Sequence, residues 1–225
     1  MKRKKIISLF IVLSIIASIA VGCGRSQTGS KEADNGLKAF NEIVKNFPEK
    51  KGFHKALSHW GFKLPTGEKF EWTKNTAANK ADFAMVMLAD PFIKAGLDVN
   101  KLNKDQWIYK PAGKEDGQDL PNLLIKPYNI GDKNENSNGS EDAFRRLLKA
   151  DTSLIKYDNE EQKYRLLIGE GYEVQWKGKL GAKDNDMVFI IKAQPLIDAG
   201  LDINKLTDSG WSIKEDILVK EYKLN

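Results

Sequence analysis

The sequence predicts an α+β fold made as a tandem duplication of one unit, and three observations carry that reading. The stretch Pro91-Phe92-Ile93-Lys94-Ala95-Gly96-Leu97-Asp98-Val99-Asn100-Lys101-Leu102 returns 104 residues later as Pro195-Leu196-Ile197-Asp198-Ala199-Gly200-Leu201-Asp202-Ile203-Asn204-Lys205-Leu206. Between 91 and 107 ten positions are identical to their partners, Trp107 and Trp211 included. Each copy opens with apolar residues at helical spacing and continues with stretches of alternating polarity. A polar stretch, residues 131–140, separates the copies and contains no apolar residue, as a linker requires.

The match at an offset of 104 extends upstream: Ala39-Phe40 pairs with Ala143-Phe144, Gly67 with Gly171, Trp72 with Trp176 and Asp82 with Asp186. Downstream, Leu123-Leu124-Ile125-Lys126 matches Ile217-Leu218-Val219-Lys220 at an offset of 94. The first copy therefore carries extra residues, placed by composition in the Gly- and acid-rich stretch 113–119, where a surface loop tolerates them. The copies span 36–128 and 140–225, joined by a linker over 129–139.

In the first copy Leu37, Phe40, Val44 and Phe47 share one helix face; Asn35 reads as its N-cap and Pro48 as its stop. In the second, Ser140 reads as the cap, Glu141 and Asp142 suit the first turn, and Phe144, Leu147 and Leu148 form the face. Residues 154–157 and 164–168 flank a polar stretch and read as a hairpin. Tyr172, Val174 and Trp176 alternate with polar residues, as Phe70 and Trp72 do around Glu71, the pattern of a half-buried strand. The apolar runs 83–88 and 187–191 read as central strands covered on both faces.

In the repeated stretch, Pro91 and Pro195 suit a helix start. Gly96 and Gly200 suit the left-handed position after its end, and Asp98 and Asp202 can cap a second short turn. Residues 107–109 and 211–213 begin a last pair of strands, closed by 123–125 and 217–219. Each copy thus reads as a helix, three or four antiparallel strands, a short second helix and two strands, with helices packed on one face of a sheet.

The formal net charge of +5 is unevenly placed. Lys2, Arg3, Lys4 and Lys5 fall within residues 1–22, which hold no acid, so the rest of the chain is nearly neutral with both signs mixed. That pattern lacks the basic face that neutralises phosphates, and no nucleic-acid partner is expected. A single cysteine excludes an intrachain disulfide, so the body must rest on its hydrophobic core.

The four basic residues precede an apolar run, Ile6 to Val21, which ends in Ala20-Val21-Gly22-Cys23. A positive segment, an apolar segment and small residues make a secretory signal. Here the sequence resembles the signal of bacterial lipoproteins, with Ala20-Val21-Gly22-Cys23 as the lipobox. The resemblance implies a signal peptide over 1–22, a diacylglycerol on the Cys23 thiol, cleavage before Cys23, and an acylated new N-terminus holding the protein to the extracytoplasmic face of a cell membrane. One acyl chain anchors reversibly, whereas two or more hold stably. Residues 23–35, with almost no apolar content, read as a flexible tether.

Asp98 and Asp202, each followed two residues on by Asn, resemble the start of a calcium loop, but Leu102, Asn103 and Tyr109 stand where that loop needs an oxygen ligand, Gly and Glu. Leu206, Thr207 and Ile213 break the second copy in the same way. His54 and His59 do not share a helix face, and with no second cysteine they define no metal site. Asp82 and Asp186 supply one acid per copy, weak grounds for acid–base chemistry. No catalytic residues and no cofactor are assigned.

Trp72, Trp107, Trp176 and Trp211 recur at matched positions, Trp60 does not, and these four are the candidate ligand-binding residues, as stacking surfaces, against the alternative that they fill the core. The function expected is that of a lipid-anchored cell-envelope protein, non-catalytic, whose two like domains bind a small ligand or an envelope protein in the groove between them. The alternatives are a substrate-binding lipoprotein feeding a transporter, against which stands the absence of a doubly wound strand–helix pattern, and an envelope hydrolase. Cys23→Ser is expected to leave an unlipidated precursor of altered mobility; unchanged mobility and membrane retention on fractionation would contradict the anchor.

Overall fold

The computed structural model describes residues 27–45, 51–54, 59–64, 66–73, 82–115, 117–129, 139–178, 186–206 and 209–223. The signal stretch, Cys23, Phe47, Pro48 and residues 130–138 of the linker lie outside them. The fold is α+β: two antiparallel sheets with a few helices.

Helix α1 is Gln27–Lys45, followed by β1 (Lys51–His54), β2 (His59–Lys63), β3 (Lys69–Thr73) and β4 (Phe83–Leu88). Short helix α2 (Asp90–Lys94) leads to β5 (Ile108–Lys110), a ribbon of β6 (Gly113–Glu115) and β7 (Gln118–Leu120), and β8 (Leu123–Tyr128). Then come α3 (Ser140–Ala150), β9 (Ile155–Asp158), β10 (Lys163–Gly169), β11 (Tyr172–Lys177) and β12 (Met187–Lys192). Helix α4 (Gln194–Asp198), a 3-10 turn (Ile203–Lys205), β13 (Trp211–Lys214) and β14 (Ile217–Tyr222) complete the chain. The first sheet runs β1-β2-β3-β4-β8-β5 and the second, read from its β9 edge, β9-β10-β11-β12-β14-β13. Both sheets therefore use the same strand order.

The central strands are β4 and β12. Phe83, Met85 and Met87 of β4, and Met187, Phe189 and Ile191 of β12, point into the core, while Ala84, Val86 and Val188 are buried on the other face. Both faces of β4 are covered, which is why its sequence lacks alternation.

Helix α1 differs from expectation in where it starts and in what it covers. It begins at Gln27, not after Asn35, so much of the stretch expected as a tether is helical. The apolar face extends one turn upstream through buried Ala33, and Asp34 lies 3.7 Å from both Arg145 and Lys149 on α3. Nor does each helix keep to one face of its own sheet. Helix α1 lies against α3 and against β9 and β11 of the second sheet, while α3 lies against β3 of the first. Gly36 makes this approach possible: a Cβ there would stand 2.2 Å from Ile155 Cδ1, and only glycine leaves the gap.

Two smaller corrections concern α3 and the 113–119 stretch. Gly139, not Ser140, is the N-cap of α3; Ser140 is its first residue and makes no side-chain cap bond. Gly113–Glu115 and Gln118–Leu120, expected as part of a surface loop, pair as the β6–β7 ribbon.

One core runs through both halves. At its centre Phe40 of α1 and Phe144 of α3 stand 5.1 Å apart and each meets both Trp72 and Trp176 edge-on, tilted or stacked. The indoles tie the helices crosswise. Trp72 Nε1 donates to the Ser140 carbonyl and Trp176 Nε1 to the Gly36 carbonyl, both at 3.0 Å. Each tryptophan thus holds the helix of the opposite half, and each bond satisfies a donor that burial would otherwise leave costly.

The repeated stretch meets its own copy. Asp98 N–H donates to the Ala199 carbonyl and Asp202 N–H to the Ala95 carbonyl, both at 2.8 Å. Gly96 and Gly200, at φ of 98° and 100°, face one another. A Cβ on either would lie 3.0 Å from the other's carbonyl oxygen. The expected caps are present: Asp98 Oδ1 accepts from Asn100 N–H at 3.0 Å and Asp202 Oδ1 from Asn204 N–H at 3.1 Å.

Gly96→Ala and Gly200→Ala each force a side chain into the left-handed region and against backbone that cannot yield. Each is expected to destabilise by about 1–3 kcal/mol. Because the two positions share one contact, their double mutant should fall short of the sum by more than about 0.5 kcal/mol in denaturant titrations. Additive losses would mean that the crossing is not a shared contact.

Candidate functional site

The tryptophans proposed for stacking are all in the core. Trp72, Trp107, Trp176 and Trp211 are each at most 5% exposed, so none presents a ring face to solvent. Strand alternation puts Trp72 and Trp176 inward, and the cross-half contacts Phe92–Trp211 and Trp107–Tyr172, at 5.6 and 5.9 Å between ring centres, do the same for the other two. Asp82 and Asp186 stand just before β4 and β12, where their backbone bonds continue the ladders: Asp82 N–H donates to the Tyr128 carbonyl and Asp186 N–H to the Tyr222 carbonyl, both at 2.8 Å. The two do not meet in one site. His54 and His59 are backbone partners in the β1–β2 register, and His59 Nδ1 lies 3.6 Å from the Glu71 carboxylate. Among the described residues no three His, Cys, Asp or Glu side chains cluster as metal ligands.

What the fold does build is a cavity of about 400 Å³ between the two halves. Lys126 and Tyr128 of β8, with Gln106, come from the first half. Tyr172 at the start of β11, Lys192 at the end of β12, and Gln194 and Asp198 of α4 come from the second. Strand alternation aims Lys126 inward, because Leu124 two residues earlier is core. The core strand thus carries a lysine at the point where the sheets part.

The Lys126 ammonium donates to the Gln106 carbonyl at 3.1 Å. It lies 4.6 Å from the Tyr172 ring centre and 5.9 Å from that of Trp107, a cation–π geometry. Burial holds its pKa below the ordinary lysine value. Burial likewise pushes the Tyr172 and Tyr128 phenols up, with Asp151 and Asp82 adding to the effect at Tyr128. At the mouth, Lys192 lies 3.9 Å from the exposed Glu170 carboxylate, and Asp198 accepts from the Gln194 amide at 2.6 Å.

The matched place on the other side of the crossing is filled. Lys220, which aligns with Lys126, sits 5.7 Å from the Trp211 ring centre, as Lys126 sits beside Trp107. But Glu68 stands where the other half has Tyr172, and its carboxylate pairs with Lys220 and accepts from the Thr66 hydroxyl. Lys220 and Glu68 are 7% and 1% exposed, so the ion pair is closed off from water. Burial, with Glu68 adding to it, pushes the neighbouring Tyr222 phenol far up, keeping it neutral. Leu88 stands where the open side has Lys192. One side of the molecule is thus sealed by a protein carboxylate, and on the other the carboxylate's place is taken by an aromatic ring.

The cavity residues escaped sequence reasoning although the signal was there. Lys126 and Lys220 align within the repeat, and Glu68 and Tyr172 occupy matched positions with unlike chemistry.

No protein-family model matches the chain, and neither curated proteins nor solved structures give a match.

Removing one partner of a buried ion pair leaves the other charge uncompensated. Glu68→Gln is expected to cost about 3–5 kcal/mol, whereas Lys126→Met, at the half-exposed matched position, should cost under about 1 kcal/mol. Equal losses in parallel denaturant titrations would contradict the sealed and open assignment.

Proposed function

We propose that this is a lipid-anchored protein of the cell envelope, held to the extracytoplasmic face through acylated Cys23, whose body arose by tandem duplication of one α+β unit and binds a small ligand in the cavity between the copies. The lipobox resemblance supports the anchor. The common strand order, the crossed tryptophan bonds and the paired glycine corners support the duplication.

The observation that carries the binding role is the unequal filling of two matched places. Duplication of one unit produces two seams of the same construction. Here one seam is closed by the Glu68–Lys220 pair, and the other keeps a half-buried lysine over a tyrosine ring in a cavity large enough for a small molecule. A half-buried cation with no ion pair among the described residues, facing open space, is a group that a ligand of opposite charge can pair, and this supports a binding role.

The start of α1 at Gln27 shortens the tether. Between Cys23 and Gln27 stand Gly24, Arg25 and Ser26, which span at most about 10 Å. The body therefore works close to the headgroups rather than far above them. Among the described residues no helix is long and apolar enough to cross a membrane, and the anchor supplies the attachment.

Gln194 is exposed at the mouth of the cavity, on the first turn of α4. A panel of small solutes, screened by thermal shift on the full chain, should contain stabilising compounds whose effect is lost in Gln194→Trp, which fills the mouth. Stabilisation that survives the filled mouth would place binding elsewhere and reject the cavity.

A further inference from the structure

We infer that the cavity takes a ligand bearing a carboxylate, which pairs with Lys126 from the open side as the Glu68 carboxylate pairs with Lys220 from within the chain; the inference rests on the cavity being the binding site. The two ammonium groups occupy matched surroundings. Lys126 and Lys220 lie on the matched strands β8 and β14, each pointing inward, and their distances to Trp107 and Trp211 differ by little, 5.9 against 5.7 Å. Around Lys220 the chain completes the site with its own carboxylate. Around Lys126 it supplies one carbonyl, from Gln106, and the face of Tyr172.

An ammonium has three donors. The Gln106 carbonyl uses one, and the aromatic face attracts the charge without accepting a conventional hydrogen bond. The two carboxylates that line the cavity are engaged elsewhere: Glu170 at the rim with Lys192, and Asp198 with the Gln194 amide. Lys126 makes no ion pair among the described residues. The missing group is thus defined by its counterpart: one carboxylate, reaching Lys126 from the open side of the cavity, since the Tyr172 ring fills the place that Glu68 takes beside Lys220.

Tyr172 is only 5% exposed, so the ring that holds Lys126 is fixed before any ligand arrives. A volume of about 400 Å³ suits a molecule with one ring or a few side-chain-sized groups. A free organic acid and the carboxyl terminus of a short peptide both satisfy this chemistry.

The test measures binding to the full chain by titration calorimetry with matched pairs: phenylacetate against phenylacetamide, and acetyl-Ala-Phe as free acid against its amide. Charge-assisted hydrogen bonds of this kind favour the acid by about tenfold or more. The expected result is that at least one acid binds about tenfold tighter than its amide, that Lys126→Met abolishes the difference, and that Tyr172→Glu, which rebuilds the sealed arrangement, abolishes binding of the acid. Preference for the peptide acid over phenylacetate would identify a chain terminus as the source, and the reverse a free acid. Acid and amide binding equally, or an acid preference that survives both substitutions, overturns the carboxylate while leaving the cavity in place. Failure of all four probes to bind overturns both.

Discussion

The crossing of the two glycine corners is the constraint on which the molecule depends. Gly96 and Gly200 bring two chain segments so close that only backbone fits between them, and the reciprocal bonds from Asp98 and Asp202 fix their register. Once that register is set, the positions of α2 and α4 follow, and Phe92 is delivered against Trp211 and Trp107 against Tyr172. The sheets therefore cannot behave as two beads on a string. Their helices are exchanged as well, with the Trp72 and Trp176 indoles holding α3 and α1 across the seam. Loop-closure entropy makes such long-range pairing slow to form, but it makes the product a single cooperative unit.

That unity bears on the proposed site at the seam. In a pair of independent domains a groove opens and closes with their relative motion. Here the same core passes beneath the cavity, so Lys126 and Tyr172 are held from opposite halves in a fixed relation. Preorganisation of this sort lowers the ordering cost of binding. The contrast with Lys220 and Glu68 shows the two uses of one geometry. With a protein carboxylate it is a buried ion pair; with a tyrosine it leaves a cation beside open space.

Much of the fold was legible because it rests on local rules. Pro at a helix start, Gly at positive φ, and Asp accepting from the amide two residues on fixed the corner from residue types alone. Alternation found the inward faces of β3 and β11, and uninterrupted apolar runs found the central strands. The extent of α1 was not legible, because Gln27–Asn35 has a polar composition and its helicity depends on partners from elsewhere: Ala33 against the core and Asp34 between Arg145 and Lys149. The exchange of helices was hidden for the same reason, since Gly36 in a helix looks like a defect until Ile155 is seen above it. The tryptophans, whose recurrence suits either stacking or packing, are buried in the core. The cavity lay at positions where the two halves differ, and periodicity and identity are blind to difference.

If the halves are one unit, the most direct measurement is native-state hydrogen exchange at the groups that cross between them: the Asp98 and Asp202 amides and the Trp72 and Trp176 indole N–H groups. All four should exchange only through global unfolding, with one common opening free energy equal to that from denaturant titration. If the Asp98 and Asp202 amides exchange by a separate, lower-energy opening while the strand interiors remain protected, the halves come apart in the native state, and a site held jointly by Lys126 and Tyr172 is contradicted.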